Sequence, residues 1–190
     1  MKIKSLLVSS IILIIISCAA PRVTKSASNF NNTSENGMII GTITFPKKQP
    51  RFNHYFPGFL SSTNKFKEIA ISPQVSFGEK HIGELDNGLT YLFALELSED
   101  KYNFKGVRLS TIGYGYTTSS LISEIAVPFE IKKGQITYLG NIVIDEWAKE
   151  GDTLVKFSNK FEKDIRGFKT KMPNVNFDNI VDSKTKIIYN

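Results

Sequence analysis

Few residues of this chain have the types and spacing that catalysis or metal binding requires. Its 190 residues include two histidines, His54 and His81, and one cysteine, Cys18. A zinc site typically needs three or four such ligands, and neither histidine has a histidine or cysteine neighbour at ligand spacing. The serines lack the Gly-x-Ser-x-Gly elbow of a catalytic triad. We therefore predict no metal, no other cofactor and no enzymatic activity.

Two groups of neighbouring carboxylates have the residue types of a general acid and base. They are Asp145 with Glu146, and Glu150 with Asp152. Both lie in one polar segment, where nothing in the sequence raises a carboxyl pKa into the range that acid catalysis needs. We interpret them as solvated charges of a connecting loop. A hydrolase with an unrecognised site stays open as an alternative.

Cys18 is the residue whose surroundings point most clearly to a chemistry. Lys2 and Lys4 precede an apolar run over residues 6–16, which is typical of a secretory signal. The run is shorter than the roughly 20 residues of a bilayer-spanning helix. Its end resembles the bacterial lipoprotein signal, in which a cysteine after a small residue is acylated, for example with palmitate. This predicts a signal peptide over residues 1–17 and lipidation of Cys18.

The same resemblance gives an expected location in the cell envelope. Ala19 follows the cysteine where inner-membrane lipoproteins of some bacteria carry aspartate, which favours the outer membrane and leaves open the periplasmic or external side. The formal charge is +6, or +4 without Lys2 and Lys4. The basic residues do not form a recognition motif for nucleic acid, so we predict no nucleic-acid partner. An anionic lipid or glycan surface, or another envelope protein, stays open as a partner.

Composition divides the remaining chain into a tether and one domain. Residues 18–37 are rich in Ser, Asn, Thr and Ala, and they lack the apolar surface that would offset the entropy of ordering. We predict that they form a flexible tether. Residues 38–190 are long enough for one domain with a sizeable core.

Hydrophobic periodicity within this domain predicts mostly strands. Residues 38–45 and 89–97 alternate apolar and polar side chains, and residues 121–131 and 135–144 are apolar runs around a Lys-Lys-Gly turn, which predicts a hairpin. Residues 159–172 place apolar side chains on one helical face, beginning at Asn159. We expect a mostly β fold, a single antiparallel β-sandwich of about seven or eight strands with one C-terminal α-helix packed on it.

Residues 47–67 show no periodicity and predict a long loop that interleaves cations with aromatic rings. Such a surface suits anionic headgroups, a glycan or a partner protein. The alternative is that the rings fold inward and cap the sandwich. With two loop tyrosines, the candidate binding residues are Lys47, Lys48, Arg51, Phe52, Tyr55, Phe56, Phe59, Lys65, Phe66, Lys67, Tyr114 and Tyr116.

Two stretches carry a resemblance to a known family. They are Leu-Glu-Leu at 95–97 with Asp-Lys-Tyr at 100–102, and Phe-Glu-Ile-Lys-Lys-Gly-Gln-Ile-Thr-Tyr-Leu-Gly at 129–140. This pattern resembles uncharacterised bacterial envelope lipoproteins whose domain is similar to the prealbumin-like sandwich of carboxypeptidase regulatory domains. The chain departs from it at Asp100-Lys101, where those proteins carry Pro-Gly. The resemblance implies a sandwich and an envelope location, with no catalytic residues.

These observations favour a lipid-anchored, non-enzymatic envelope protein that acts as an accessory or binding module. A structural lipoprotein docked to another envelope protein through a sheet edge stays open beside it.

Overall fold

The computed structural model describes residues 27–46, 50–73, 83–113, 116–122, 125–149, 154–183 and 188–189. The predicted signal peptide and Cys18 lie outside these residues. No helix within them is long and apolar enough to cross a bilayer. The elements are β1 (Asn36–Thr44), β2 (His54–Ser61), β3 (Phe66–Glu68), β4 (Thr90–Ser98), β5 (Asp100–Gly113), β6 (Tyr116–Ile122), β7 (Ile125–Ile131), β8 (Ile136–Ile144), β9 (Val155–Ser158), α1 (Phe161–Lys171), β10 (Ile180–Asp182) and β11 (Ile188–Tyr189).

The strands form two sheets. The first sheet has the order β10-β8-β1-β4, with β9 also paired to β8. The second has the order β11-β7-β5-β2-β3, with β6 also paired to β5. The prediction of a mostly β fold with one C-terminal helix is therefore confirmed. The described residues contain eleven strands, more than the seven or eight expected, because short strands near the C-terminus and within residues 47–67 lack a readable period.

The prediction of a purely antiparallel sandwich is wrong for the first sheet. β1 runs parallel to β8, and β10 also runs parallel to β8. Parallel neighbours need a crossover connection. The chain supplies one between β1 and β8 through β2 to β7, a stretch that contains β4 of the first sheet and every strand of the second sheet except β11.

An aromatic cluster joins the two sheets. Phe59 on β2 is fully buried, and its ring centroid lies 6.2 Å from that of Phe93 on the first sheet. Its ring also lies 6.1 Å from Phe104 and 5.9 Å from Phe129 on the second sheet. Aromatic rings at these separations add about 0.5–1.5 kcal/mol per pair beyond their area burial. Phe59 therefore stands at the centre of the inter-sheet core.

The helix covers the opposite face of the first sheet. Ile165, Phe168 and Met172 form a buried cluster with Ile40 of β1 and Leu92 of β4. The predicted apolar face of the helix is thus confirmed. The order of layers is helix, first sheet, second sheet, so β1 and β4 bury side chains on both faces. The predicted start is shifted: Lys160 is the capping residue, and the Asn159 side chain accepts a hydrogen bond from the Phe161 amide.

The expected hairpin between β7 and β8 is wrong, because these strands belong to different sheets. The Lys-Lys-Gly turn leads the chain from one sheet to the other. The Gly134 amide donates to the Asn36 carbonyl of β1 at 2.9 Å, and β8 continues beside β1. Val127 of β7 and Leu139 of β8 belong to the same core, so the two strands meet through side chains.

Residues 47–67 contain strands, in contrast to the predicted loop. β2 pairs with β5 along most of its length, and β3 pairs with β2 at the edge of the sheet. Pro57 lies beside a register shift that falls between Pro57 and Phe59. Proline lacks a ladder donor and is tolerated at such irregular positions, which hid this strand from the sequence pattern.

The last part of the predicted tether, residues 27–37, is ordered on the domain. Ala27 and Phe30 are buried in the cluster beneath the helix, and β1 already begins at Asn36. Two buried apolar side chains are enough to hold a short segment that composition alone assigns to a tether. Residues 18–26 of that tether lie outside the described residues.

Gly134 should be the least replaceable residue of the crossing turn. Its φ is +64°, and a Cβ there would lie 2.2 Å from the Asn32 carbonyl oxygen. Gly134→Ala should lower the free energy of unfolding by more than about 1 kcal/mol in urea titrations, because alanine is strained at positive φ. Lys133→Ala in the same turn removes only an exposed ion pair with Glu35 and should change it little. Equal effects of the two substitutions would contradict this account of the turn.

Candidate functional site

The outer face of the second sheet is a surface to which the predicted binding residues Phe56 and Phe66 contribute. Alternation along the strands turns Phe56 and Leu60 of β2 outward, while Tyr55 and Phe59 point into the core. Cross-strand pairing places Arg108 opposite Phe56. We define the outer face as Phe56, Leu60, Phe66, Glu68, Asn103, Arg108 and Pro128.

A cation and an aromatic ring stack at one end of this outer face. The Arg108 guanidinium carbon lies 3.8 Å from the Phe56 ring centroid, and the guanidinium also pairs with the Glu68 carboxylate. At a partly exposed site a cation–π contact contributes about 0.5–1 kcal/mol. The ion pair and the stack together hold Arg108 flat against the sheet, which makes this end of the face rigid.

An exposed aromatic ring extends the outer face to the sheet edge. Phe66 of β3 is 55% exposed, the highest value among the large apolar side chains whose burial the structure describes. Its ring lies over Gly58, where a Cβ would come within 2.6 Å of the ring, so the glycine is what lets the ring lie flat. Phe66 and the Phe56–Arg108 stack therefore form a partly apolar surface whose side chains are held in place by their neighbours.

Two of the predicted binding residues are in the core. Tyr55 and Phe59 are fully buried, so their assignment to a binding surface is wrong. Phe52 is partly buried and packs against the same core. Here the inward-folding alternative holds, because alternation along β2 turns every second side chain to the inter-sheet space.

The exposed cations of the predicted surface do not share the outer face with its rings. Arg51, Lys65 and Lys67 are exposed, but Lys67 pairs across the strands with buried Phe59 and so lies on the other side of β3. Lysine on a short edge strand discourages pairing with another chain. The cation that stacks on a ring of the outer face is instead Arg108, which the sequence argument missed. Lys47, Lys48 and Tyr114, and the side chain of Tyr116, lie outside the described residues.

The other candidate groups have structural partners. His54 Nδ1 lies 2.8 Å from Ser72 Oγ, and burial together with nearby Arg108 lowers the pKa of His54. Glu146 is not the solvated charge predicted, because its Oε2 accepts from the Tyr55 hydroxyl at 2.8 Å and from the Arg51 amide at 3.0 Å. Burial, and next the Glu146 charge, raise the pKa of Tyr55. His81, Glu150 and Asp152 lie outside the described residues.

The described residues contain no group of three or more His, Cys, Asp or Glu side chains placed to hold a metal ion.

A buried carboxylate that the sequence argument missed joins the helix to the first sheet. Asp164 is fully buried, and its Oδ2 accepts from the Tyr138 hydroxyl at 2.7 Å and from the Thr42 hydroxyl at 2.8 Å. The amide of Asn141 donates to Thr42 and Thr44, at 2.7 and 2.8 Å. Asp164 lies three residues after Phe161 and four before Phe168. A charged residue on the apolar face of a helix was thus the signal that could have revealed it.

The hydrogen bonds continue from Asn141 to a second carboxylate. Thr90 donates its only hydroxyl proton to Asp86 at 2.6 Å, so Thr44 must donate in its 2.7 Å contact with Thr90. Asp86 in turn pairs with Lys163 of the helix. The network therefore runs from Asn141 in two directions and ends on a carboxylate at each end.

The two carboxylates have opposite pKa shifts. Burial raises the pKa of Asp164, although Tyr138, Thr42 and Lys160 favour its charged form; nearby Asp86 adds to the rise. The hydrogen bond from Lys163, followed by that from Thr90, lowers the pKa of Asp86. Tyr138 and Asp164 are closed to solvent, so their role is to fasten the helix to the sheet rather than to meet a substrate.

In comparisons with known proteins, no family model, curated protein or solved structure matches this chain.

The opposite pKa shifts predict opposite pH dependences of stability. The pKa of Asp164 is higher in the folded chain than in the unfolded chain, where it is near 3.8. Its contribution to the free energy of unfolding is therefore complete at pH values below 3.8 and is lost as the pH rises through the pKa of the folded chain. Asp164→Asn removes this loss, so the variant should gain stability relative to the parent as pH rises. Urea titrations from acid to neutral pH measure the difference.

Asp86→Asn is the matched control, with the opposite sign. Its lowered pKa contributes stability above the unfolded value near 3.8 that is lost on acidification. The variant should be weakest relative to the parent at neutral pH and should approach it in acid. Parallel pH profiles of the two variants would contradict the assignment.

Proposed function

We propose that this protein is a lipid-anchored, non-enzymatic binding module of the bacterial cell envelope, which holds a partner protein on the outer face of its second sheet. The observation that carries the proposal is the exposed Phe66 ring beside the rigid stack of Phe56 and Arg108. Exposed aromatic side chains and arginine are the residue types enriched where proteins contact one another.

The charges of this face favour a protein over an anionic polymer. Arg108 is already paired with Glu68, and Lys67 points to the other side of the edge strand. Near the exposed ring the face therefore offers apolar area and a paired cation, and exposed Lys101 farther along β5 stands opposite Glu130. The cation stacked on Phe56 is thus already neutralised, which favours a protein surface over a phosphate-rich or acidic glycan at this end of the face.

The edge of the second sheet is less suited to docking than its face. β3 is three residues long and carries Lys67 and Glu68, which disfavour addition of a further strand. This observation weighs against docking of a structural lipoprotein through the β3 edge of the second sheet. The carboxylates that might have served a hydrolase, Asp164 and Glu146, are engaged in hydrogen bonds that hold the fold together.

The lipid anchor rests on the sequence around Cys18, and its test is direct. Cys18→Ser should abolish the mass that acylation adds and should move the protein from the membrane to the soluble fraction. Mass spectrometry and membrane fractionation measure the two effects. A serine variant that stays with the membranes would refute the anchor.

Partner binding can be tested by photo-crosslinking in bacterial cells that express the full chain. The photoreactive residue p-benzoylphenylalanine in place of Phe66 should yield a discrete adduct with one protein. Val181 on β10 is the matched control, because it is also an exposed large apolar residue, at 42%, but lies on the first sheet. Adducts of equal yield at both positions, or none at Phe66, would refute the proposed binding face.

A further inference from the structure

The exposed side of α1 is basic over its second half. Arg166, Lys169 and Lys171 are exposed, while Asp164, Ile165 and Phe168 are buried on the other side. We call Arg166, Lys169 and Lys171 the basic end of the helix. Cations in the last turn are favoured by the helix dipole, but Arg166 lies before that turn, so the dipole does not account for it.

Two of these cations are uncompensated within the described part of the chain. Lys171 has a long ion pair with Glu84, at 4.0 Å. Arg166 and Lys169 form no ion pair with any described residue. Glu162 is the acidic residue of the exposed side, and it stands at the opposite end of the helix. The basic end therefore presents net positive charge to whatever lies beyond it.

The chain enters the domain on the same side as this helix. Ala27 and Phe30 are buried in one cluster with Ile165 and Phe168. Only residues 18–26 separate the predicted lipid at Cys18 from Ala27. Nine residues reach at most about 30 Å even when fully extended. They include Arg22 and Lys25 and no acidic residue.

The outer face of the second sheet lies on the far side of the molecule. It is separated from the helix by the first sheet and the inter-sheet core, and stacked layers are about 10 Å apart. A short connection on the helix side therefore favours contact of that side with the membrane. The Phe66 side would then stand away from it.

We propose that the basic end of α1 rests on the anionic lipid headgroups of the membrane that holds the Cys18 lipid, with the outer face of the second sheet turned away toward a partner. The inference rests on the lipid anchor of the proposed function. Its physical basis is charge complementarity: basic residues at an anionic bilayer surface each strengthen association about fivefold.

The test uses the acylated full chain in vesicles of phosphatidylcholine with or without phosphatidylglycerol. Acylation occupies the only cysteine, so Thr170→Cys introduces a single free thiol on the exposed side of α1. Thr63→Cys, at the exposed turn between β2 and β3, is the matched site on the second sheet. Each thiol carries a fluorophore, and a headgroup-labelled nitroxide lipid is the quencher.

The expected result is strong quenching at position 170, weak quenching at position 63, and a dependence on phosphatidylglycerol at position 170 only. Arg166→Gln with Lys169→Gln should reduce the ratio of docked to undocked protein roughly 25-fold. Lys65→Gln with Lys67→Gln removes the same charge from the second sheet and should change nothing.

Vesicle flotation separates failure of the anchor from failure of the orientation. If the protein does not float with the vesicles, the lipid anchor fails, and the orientation fails with it. If it floats but both positions are quenched equally, or quenching at position 170 is independent of phosphatidylglycerol, only the orientation is overturned. The second outcome would leave the binding face of the second sheet standing.

Discussion

The first sheet must bury both of its faces, and the rest of the molecule is arranged to meet that requirement. Along β1 nearly every side chain is buried, with Ile39 and Ile43 directed to one side and Met38 and Ile40 to the other. The second sheet covers one side, and α1 with the ordered residues 27–30 covers the other. Removing either cover would expose a continuous apolar surface, which monomeric proteins rarely carry.

The helix is held by polar contacts as well as by apolar burial. The apolar cluster alone tolerates rotation or sliding of the helix, whereas the hydrogen bonds from Tyr138 and Thr42 to Asp164 have one geometry. The pair of Asp86 and Lys163 adds a second point of attachment near the helix start. Loss of a donor to a buried carboxylate costs more free energy than loss of an average hydrogen bond. The network therefore specifies a unique position of the helix on the sheet.

The two covers also differ in what they offer to the surroundings. The helix side carries Arg166 and Lys169, which have no ion pair with a described residue, and it receives the N-terminal segment, whereas the second sheet offers an exposed ring and a neutralised Arg108. A layered molecule of this kind has two chemically distinct sides with a rigid core between them. That asymmetry supports the proposal of a module that is anchored at one side and binds a partner at the other.

The sequence alone determined the strands β1 and β4 and the helix. Its signals were the alternation within 38–45 and 89–97 and the apolar period of 159–172, because side-chain direction follows local backbone geometry. The sequence also predicts lipidation at Cys18, a residue outside those that the structure describes. Only the tertiary structure decided that β7 and β8 enter different sheets, that β1 runs parallel to β8, and that Phe59 is core while Phe66 is surface. Asp164 and Thr42 are 122 positions apart, and no local period encodes their contact. Local periodicity determines conformation, but the choice of partner depends on how distant segments share the same buried space.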